Sequence, residues 1–168
     1  MIDNFKTMFF VKSSLISLYL ALTIPIPLIS TDNLKLISSI TFIFGLFLIF
    51  DVTSDYVQTC DTKIVYKTSF ISKIFGKKSW EIIWDDIKLI KSYPTSQGSK
   101  VYYFITNKNK NYLVPQRLDD FENFLLLVGK KTGLKVDNLT YISPLWTYKL
   151  LTFLSILMII GELIFFTL

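Results

Sequence analysis

Apolar positions gather in three long blocks, and a longer polar stretch separates the second from the third. The first block, residues 8–30 (MFFVKSSLISLYLALTIPIPLIS), is long enough to cross a bilayer, which takes roughly 20 residues. Lys12 stands near its start, where a lysine can reach the headgroups. Pro25 and Pro27 fall at its far end and predict a bend or a stop there. No small-residue cleavage pattern follows, and the next apolar block arrives at once, so a membrane helix is a better reading than a secretory signal. After a turn at residues 31–33, the block at 34–50 (LKLISSITFIFGLFLIF) has an uncharged core that is short for a crossing. It is read as a spanning helix that closes a hairpin with the first, with a partly inserted helix as the alternative. The third block, residues 150–168, follows Pro144, Trp146, Tyr148 and Lys149, an aromatic and lysine mixture suited to a membrane interface. Glu162 is the one charge inside it. An intramembrane ionisable group is a functional candidate, so Glu162 and Lys12 are the candidate intramembrane polar residues. The plainer reading has Glu162 protonated, or reaching water at the far interface.

In the polar stretch the periodicity changes to two. In KIVYKTSF (63–70), Ile64, Tyr66 and Thr68 share one face and Val65 and Lys67 the other, which predicts a strand. ISKIFGKK (71–78) reads as a basic turn around Gly76. SWEIIW (79–84) is a second strand with Trp80, Ile82 and Trp84 on one face. A third strand covers 87–92, and YPTSQGS (93–99) is dense in turn residues. KVYYFITN (100–107), an exposed NKNKN turn (107–111) and YLVP (112–115) predict a closing hairpin. The period then becomes helical: Phe121, Phe124, Leu125 and Val128 form one stripe. Asp119 or Asp120 can cap this helix, Lys130 and Lys131 suit its last turn, and Gly133 suits its end.

Composition agrees with a membrane protein. The chain has 168 residues, is 51% apolar and has a mean hydropathy of +0.46. It contains no histidine, which removes the commonest general base and transition-metal ligand. Cys60 is the one cysteine, so no intrachain disulfide or thiolate cage is available. Residues 51–149 hold 15 of the 18 Lys and Arg and 10 of the 13 Asp and Glu, a net charge of +5. Positive charge beside membrane spans is retained on the cytoplasmic side.

The adjacent carboxylates of Asp85 and Asp86 invite an acid–base reading. Neighbours on a strand point to opposite faces, so a structural turn is the better one. YPTSQG lacks the spacing of a phosphate loop. VYYF lacks an RNA-binding phrase around it, so nucleic acid is not an expected partner. Lys73, Lys77 and Lys78 flank the Gly76 turn and are candidates for anionic headgroups or a partner. Arg117, the sole arginine, is a further candidate contact, with a local ion pair to Asp119 or Asp120 as the plainer role.

The strand KIVYKTSF, the phrase IIWDDIKLI, the hairpin and the helix FENFLLLVGKKTGL together resemble the bacterial pleckstrin-homology-like domain, over about residues 62–135. That resemblance implies a small β-barrel or sandwich capped by a helix, often attached to membrane helices and generally non-enzymatic. SFISKIFGKKS and WDDIKLIKS also resemble stretches of the photosystem I assembly factor of cyanobacteria and plastids, which likewise joins a two-helix hairpin to a basic β-domain. The chain departs from that pattern in its third apolar block and in carrying lysines in place of arginines.

The expected fold is therefore α+β: a transmembrane hairpin (1–50), a pleckstrin-homology-like antiparallel β-domain with a C-terminal capping helix (51–146), and a C-terminal transmembrane helix (147–168). The expected function is that of a non-enzymatic, membrane-anchored accessory or assembly factor. It would need no cofactor, catalytic residue or metal. Its expected partners are membrane lipids and a membrane protein complex, a photosystem first among them. The β-domain is expected on the cytoplasmic or stromal side of an inner membrane or thylakoid. The alternative is a lipid-binding, scaffold or sensor module of a bacterial inner membrane.

Overall fold

A computed structural model describes residues 3–136 and 139–167. The chain divides into two compact units: a β-unit, of Met8 and the residues before it with Ser54–Ser143, and a helical unit of Phe9–Thr53 with Pro144 onward.

The β-unit holds two antiparallel sheets. Strands β1 (Asp3–Lys6), β2 (Tyr56–Thr59), β3 (Lys63–Lys67) and β4 (Trp80–Ile83) form a four-stranded sheet in that order. Strands β5 (Ile87–Pro94), β6 (Lys100–Thr106) and β7 (Asn111–Leu113) form a second one. Among the described residues neither sheet closes, so of the expected barrel or sandwich the structure holds two open antiparallel sheets and no closed barrel. Alternation decides which side chains go inward: Ile64 and Ile82 pair across β3 and β4 and are both buried. Tyr102, Phe104 and Thr106 do the same on β6. Ile64, Ile82, Tyr102 and Phe104 share one core with Trp84 and with Phe121, Phe124 and Val128 of the helix that covers it. The α+β character, the β5–β6 and β6–β7 hairpins and the covering helix thus follow the sequence pattern. That helix, Phe121–Thr132, ends at Gly133 in the left-handed region at φ 70°, which a glycine adopts without penalty.

The Asp85-Asp86 turn is a single 3-10 turn, Trp84–Asp86. It joins strands of two different sheets rather than making a hairpin. Thr95 and Ser99 close the YPTSQGS turn by a 2.8 Å backbone bond, with Gly98 at φ 78°.

Three segments differ from expectation. Residues 3–6, assigned with the hairpin, are a strand that pairs Asp3 with Thr59 and Lys6 with Tyr56. Residues 56–59 form β2, for which no element was expected. The basic turn after β3 contains a short helix, Phe70–Ile74.

In the helical unit α1 (Phe9–Thr23) runs into α2 (Pro25–Ile29), and α3 (Asp32–Val52) follows. The short Phe70–Ile74 helix is α4 and Phe121–Thr132 is α5, so the last helix, Leu145–Thr167, is α6. Among the described residues three segments are long and apolar enough to cross a membrane: Phe9–Ile29, Asp32–Val52 and Leu145–Thr167. Pro25 takes the first position of α2, where its missing N–H costs no bond. The second block is longer than its uncharged core suggested, because Asp32 and Asp51 lie within the helix near its two ends. α1 packs along α6, burying Ser14, Ser17 and Ala21 on one helix and Ser155 on the other. Small residues at such a seam let two backbones approach closely.

Candidate functional site

The basic turn is built around one carboxylate. Asp55 follows α3 by three residues and is buried, with its side chain 8% exposed. Its Oδ1 accepts the Ser69 N–H at 2.8 Å. Its Oδ2 accepts the Tyr66 hydroxyl at 2.9 Å, the Lys77 ammonium at 2.9 Å and the Ser72 hydroxyl at 3.4 Å. Burial alone would raise the Asp55 pKa, but the Ser69, Lys77 and Tyr66 donors outweigh it and hold the carboxyl below its ordinary range. Burial, and then the Asp55 charge, push the Tyr66 phenol well above its ordinary value.

Asp55 thereby fixes α4. Ser69 caps that helix, its hydroxyl accepting the Ser72 N–H at 3.2 Å. Gly76 ends the segment at φ 84°, and the Lys77 N–H returns to the Ser72 carbonyl at 3.0 Å. Ile71 and Ser72 point inward, while Phe70, Ile74 and Phe75 are exposed.

The three candidate lysines divide into two kinds. Lys77 is committed to Asp55, whereas Lys73 and Lys78 are exposed and form no ion pair among the described residues. Arg117 is exposed and pairs with neither Asp119 nor Asp120; its backbone carbonyl instead accepts the Met8 N–H at 2.9 Å. Asp119 gives its N–H to the Lys6 carbonyl, so this segment acts through its backbone. At the aspartate pair it is again carbonyls that act: the Asp86 carbonyl accepts the Asn107 N–H at 2.9 Å and the Asp85 carbonyl accepts its side-chain amide at 3.2 Å.

In the helical unit one oxygen of Glu162, Oε2, is buried with no hydrogen-bond partner among the described residues. The Lys149 ammonium lies 4.9 Å over the Phe10 ring, so α1 and α6 start together. Lys12 is then about 11 residues from the level of Glu162, roughly 16 Å along the helix axis. The two do not form one site. Cys60 is half-buried, and its carbonyl accepts the Trp84 indole N–H at 2.9 Å.

A second surface emerges on the three-stranded sheet. Leu89, Lys91 and Tyr93 lie on one face of β5, opposite Ile105, Tyr103 and Val101 of β6, and Leu113 lies opposite Tyr103. Leu89, Tyr93 and Leu113 are exposed. Tyr93 and Tyr103 meet edge to face at 5.6 Å, and the Lys91 ammonium lies 5.1 Å from the Tyr93 ring.

Sequence reasoning missed Asp55 and the apolar tip of α4. The signals were modest: a period-two run at 56–59 just after Asp55, and a capping serine before FISKIF.

Over 162 aligned residues the chain is 29% identical to slr0269, an uncharacterised protein of the cyanobacterium Synechocystis sp.. The match spans 93% of this chain and 81% of that protein. No family model matches the chain.

Proposed function

We propose that the protein is a non-enzymatic, membrane-anchored accessory factor whose β-unit binds a membrane protein complex. The outer face of the three-stranded sheet carries this reading. It is an aromatic and apolar surface with one lysine, exposed at Leu89, Tyr93 and Leu113, and such patches mark protein contact sites. The chain passes between the β-unit and the three candidate spans at Phe9, Thr53 and Pro144, which tethers the β-unit to any membrane they cross. Two antiparallel sheets with one covering helix also suit a pleckstrin-homology-like module, here in an open form. A relative in a cyanobacterium makes a photosystem the first complex to test. The net positive middle region favours the cytoplasmic or stromal side.

Affinity purification of the full chain from native membranes tests this. Recovery of photosystem subunits, lost when Tyr93 and Tyr103 are changed to Ala, would support it. Recovery of the chain alone, together with normal photosystem levels in a deletion strain, would refute it.

A further inference from the structure

The basic tip of the β-unit is also an apolar one. Phe70, Ile74 and Phe75 are 72%, 68% and 81% exposed. The tip is not a loose loop: Ile71 and Ser72 are buried beneath it, Ser69 caps it and Asp55 holds it at three points. Three large apolar side chains are therefore presented to solvent by a fixed scaffold. Resting on the membrane-anchored reading, we propose that Phe70, Ile74 and Phe75 insert into the headgroup boundary of an anionic bilayer, with Lys73 and Lys78 on its headgroups.

Three observations select lipid as the occupant. Residues 62–80 carry five lysines and no acid; Lys63 pairs with Glu81 and Lys77 with Asp55, which leaves Lys67, Lys73 and Lys78 to complement an anionic surface. Lysine is depleted from the cores of protein interfaces, whereas phenylalanine beside lysine is the composition of an interfacial membrane anchor. Asp55, which fastens the tip, follows the end of α3 by three residues, and three extended residues reach no further than about 10 Å. In the chain, the residue that fastens the tip thus stands three positions after a candidate span. Lys77 serves the anchor differently, by holding Asp55 rather than by meeting lipid.

The test uses the full chain with Cys60→Ser, reconstituted in nanodiscs containing anionic lipid. A nitroxide is placed at Phe75→Cys or Ile74→Cys, at Lys108→Cys on the 107–111 turn, and at Ile43→Cys in α3. Accessibility to oxygen and to a polar nickel chelate is then read. The tip labels should resemble Ile43→Cys, rich in oxygen and poor in nickel, while Lys108→Cys is open to nickel. In anionic discs, Lys73→Gln and Lys78→Gln should each lower the ratio of immersed to withdrawn tip about fivefold. Tip labels open to nickel, with Ile43→Cys still lipid-like, would overturn the insertion alone. Tip labels shielded from oxygen and nickel alike would overturn it in favour of a protein contact. An Ile43→Cys label open to nickel would overturn the anchored reading itself.

Discussion

Asp55 shows how much one side chain can decide. Its carboxylate gathers four donors, from Tyr66 of β3 and from Ser69, Ser72 and Lys77 on the segment that joins β3 to β4 through α4. Removing it leaves a half-buried phenol and a backbone N–H without their acceptor, so Asp55→Ala should lower stability by about 2–4 kcal/mol. The folded pKa lies below the ordinary value of 3.8, so this contribution is whole above that value and is lost as pH falls through the folded pKa. The apparent melting temperature of the full chain in detergent should therefore drop in acid, and Asp55→Asn should flatten that drop. An acid profile unchanged by Asp55→Asn would show that other carboxylates govern it. Asp85→Asn and Asp86→Asn, by contrast, should change stability little, within about 0.5 kcal/mol, because their carbonyls rather than their carboxylates are bonded. Sequence could dismiss the aspartate pair, since strand geometry separates neighbouring side chains. It could not find Asp55, because partners 11 to 22 residues away are brought in only by the fold.

Whether an element was legible depended on whether its pattern was local. α5 showed its 3.6-residue stripe and its terminal glycine, and the β5–β6 and β6–β7 hairpins showed their turn residues. β2 is only four residues long and α4 only five, too short for a period to stand out. The helical hairpin, legible as apolar blocks, also contains a contact that hydropathy does not report. Tyr19 of α1 donates to the Phe42 carbonyl of α3 at 2.8 Å and stacks on the Phe42 ring at 5.8 Å. It fits there because residue 45 is glycine: a Cβ at that position would overlap the Tyr19 hydroxyl and stand 2.7 Å from its Cζ. Gly45→Ala should therefore displace Tyr19 and weaken the α1–α3 pairing by about 1–3 kcal/mol. Tyr19→Phe should cost about 0.6 kcal/mol, the scale of one interhelical hydrogen bond in a membrane. In a Tyr19→Ala background, Gly45→Ala should be neutral or stabilising, since alanine is the better helix former. Disulfide trapping between cysteines placed on α1 and α3 reads the pairing. Equal losses from Gly45→Ala with and without Tyr19 would place the cause elsewhere.

At the scale of the whole chain, the decisive feature is the pairing of β1 with β2. Residues just before α1 and just after α3 meet in one sheet, with Phe5 opposite Val57. A chain that leaves the sheet through α1 and α2 and returns through α3 crosses any intervening membrane an even number of times. Each of those two segments has 21 residues, and a helix of that length spans roughly 30 Å, the thickness of a hydrocarbon core. Hydropathy showed the blocks but not this closure, because a four-residue strand ahead of an apolar block carries no period of its own. The same pairing makes the β-unit depend on the N-terminal segment. Phe5 meets the Phe124 ring edge to face at 5.4 Å and packs against the core. Phe5→Ala should therefore cost the β-unit about 2 kcal/mol, at the low end for a large-to-small change because Phe5 is only partly buried. Hydrogen exchange of the full chain should show β1 and β2 amides losing protection while α1 and α3 keep theirs. In sealed vesicles, Asn4→Cys and Lys108→Cys should react with an impermeant thiol reagent from one side. Thr167→Cys, at the far end of α6, should react from the other. If Asn4 and Lys108 label from opposite sides, the β1–β2 pairing cannot exist in the membrane; if Thr167 labels with them, α6 does not cross.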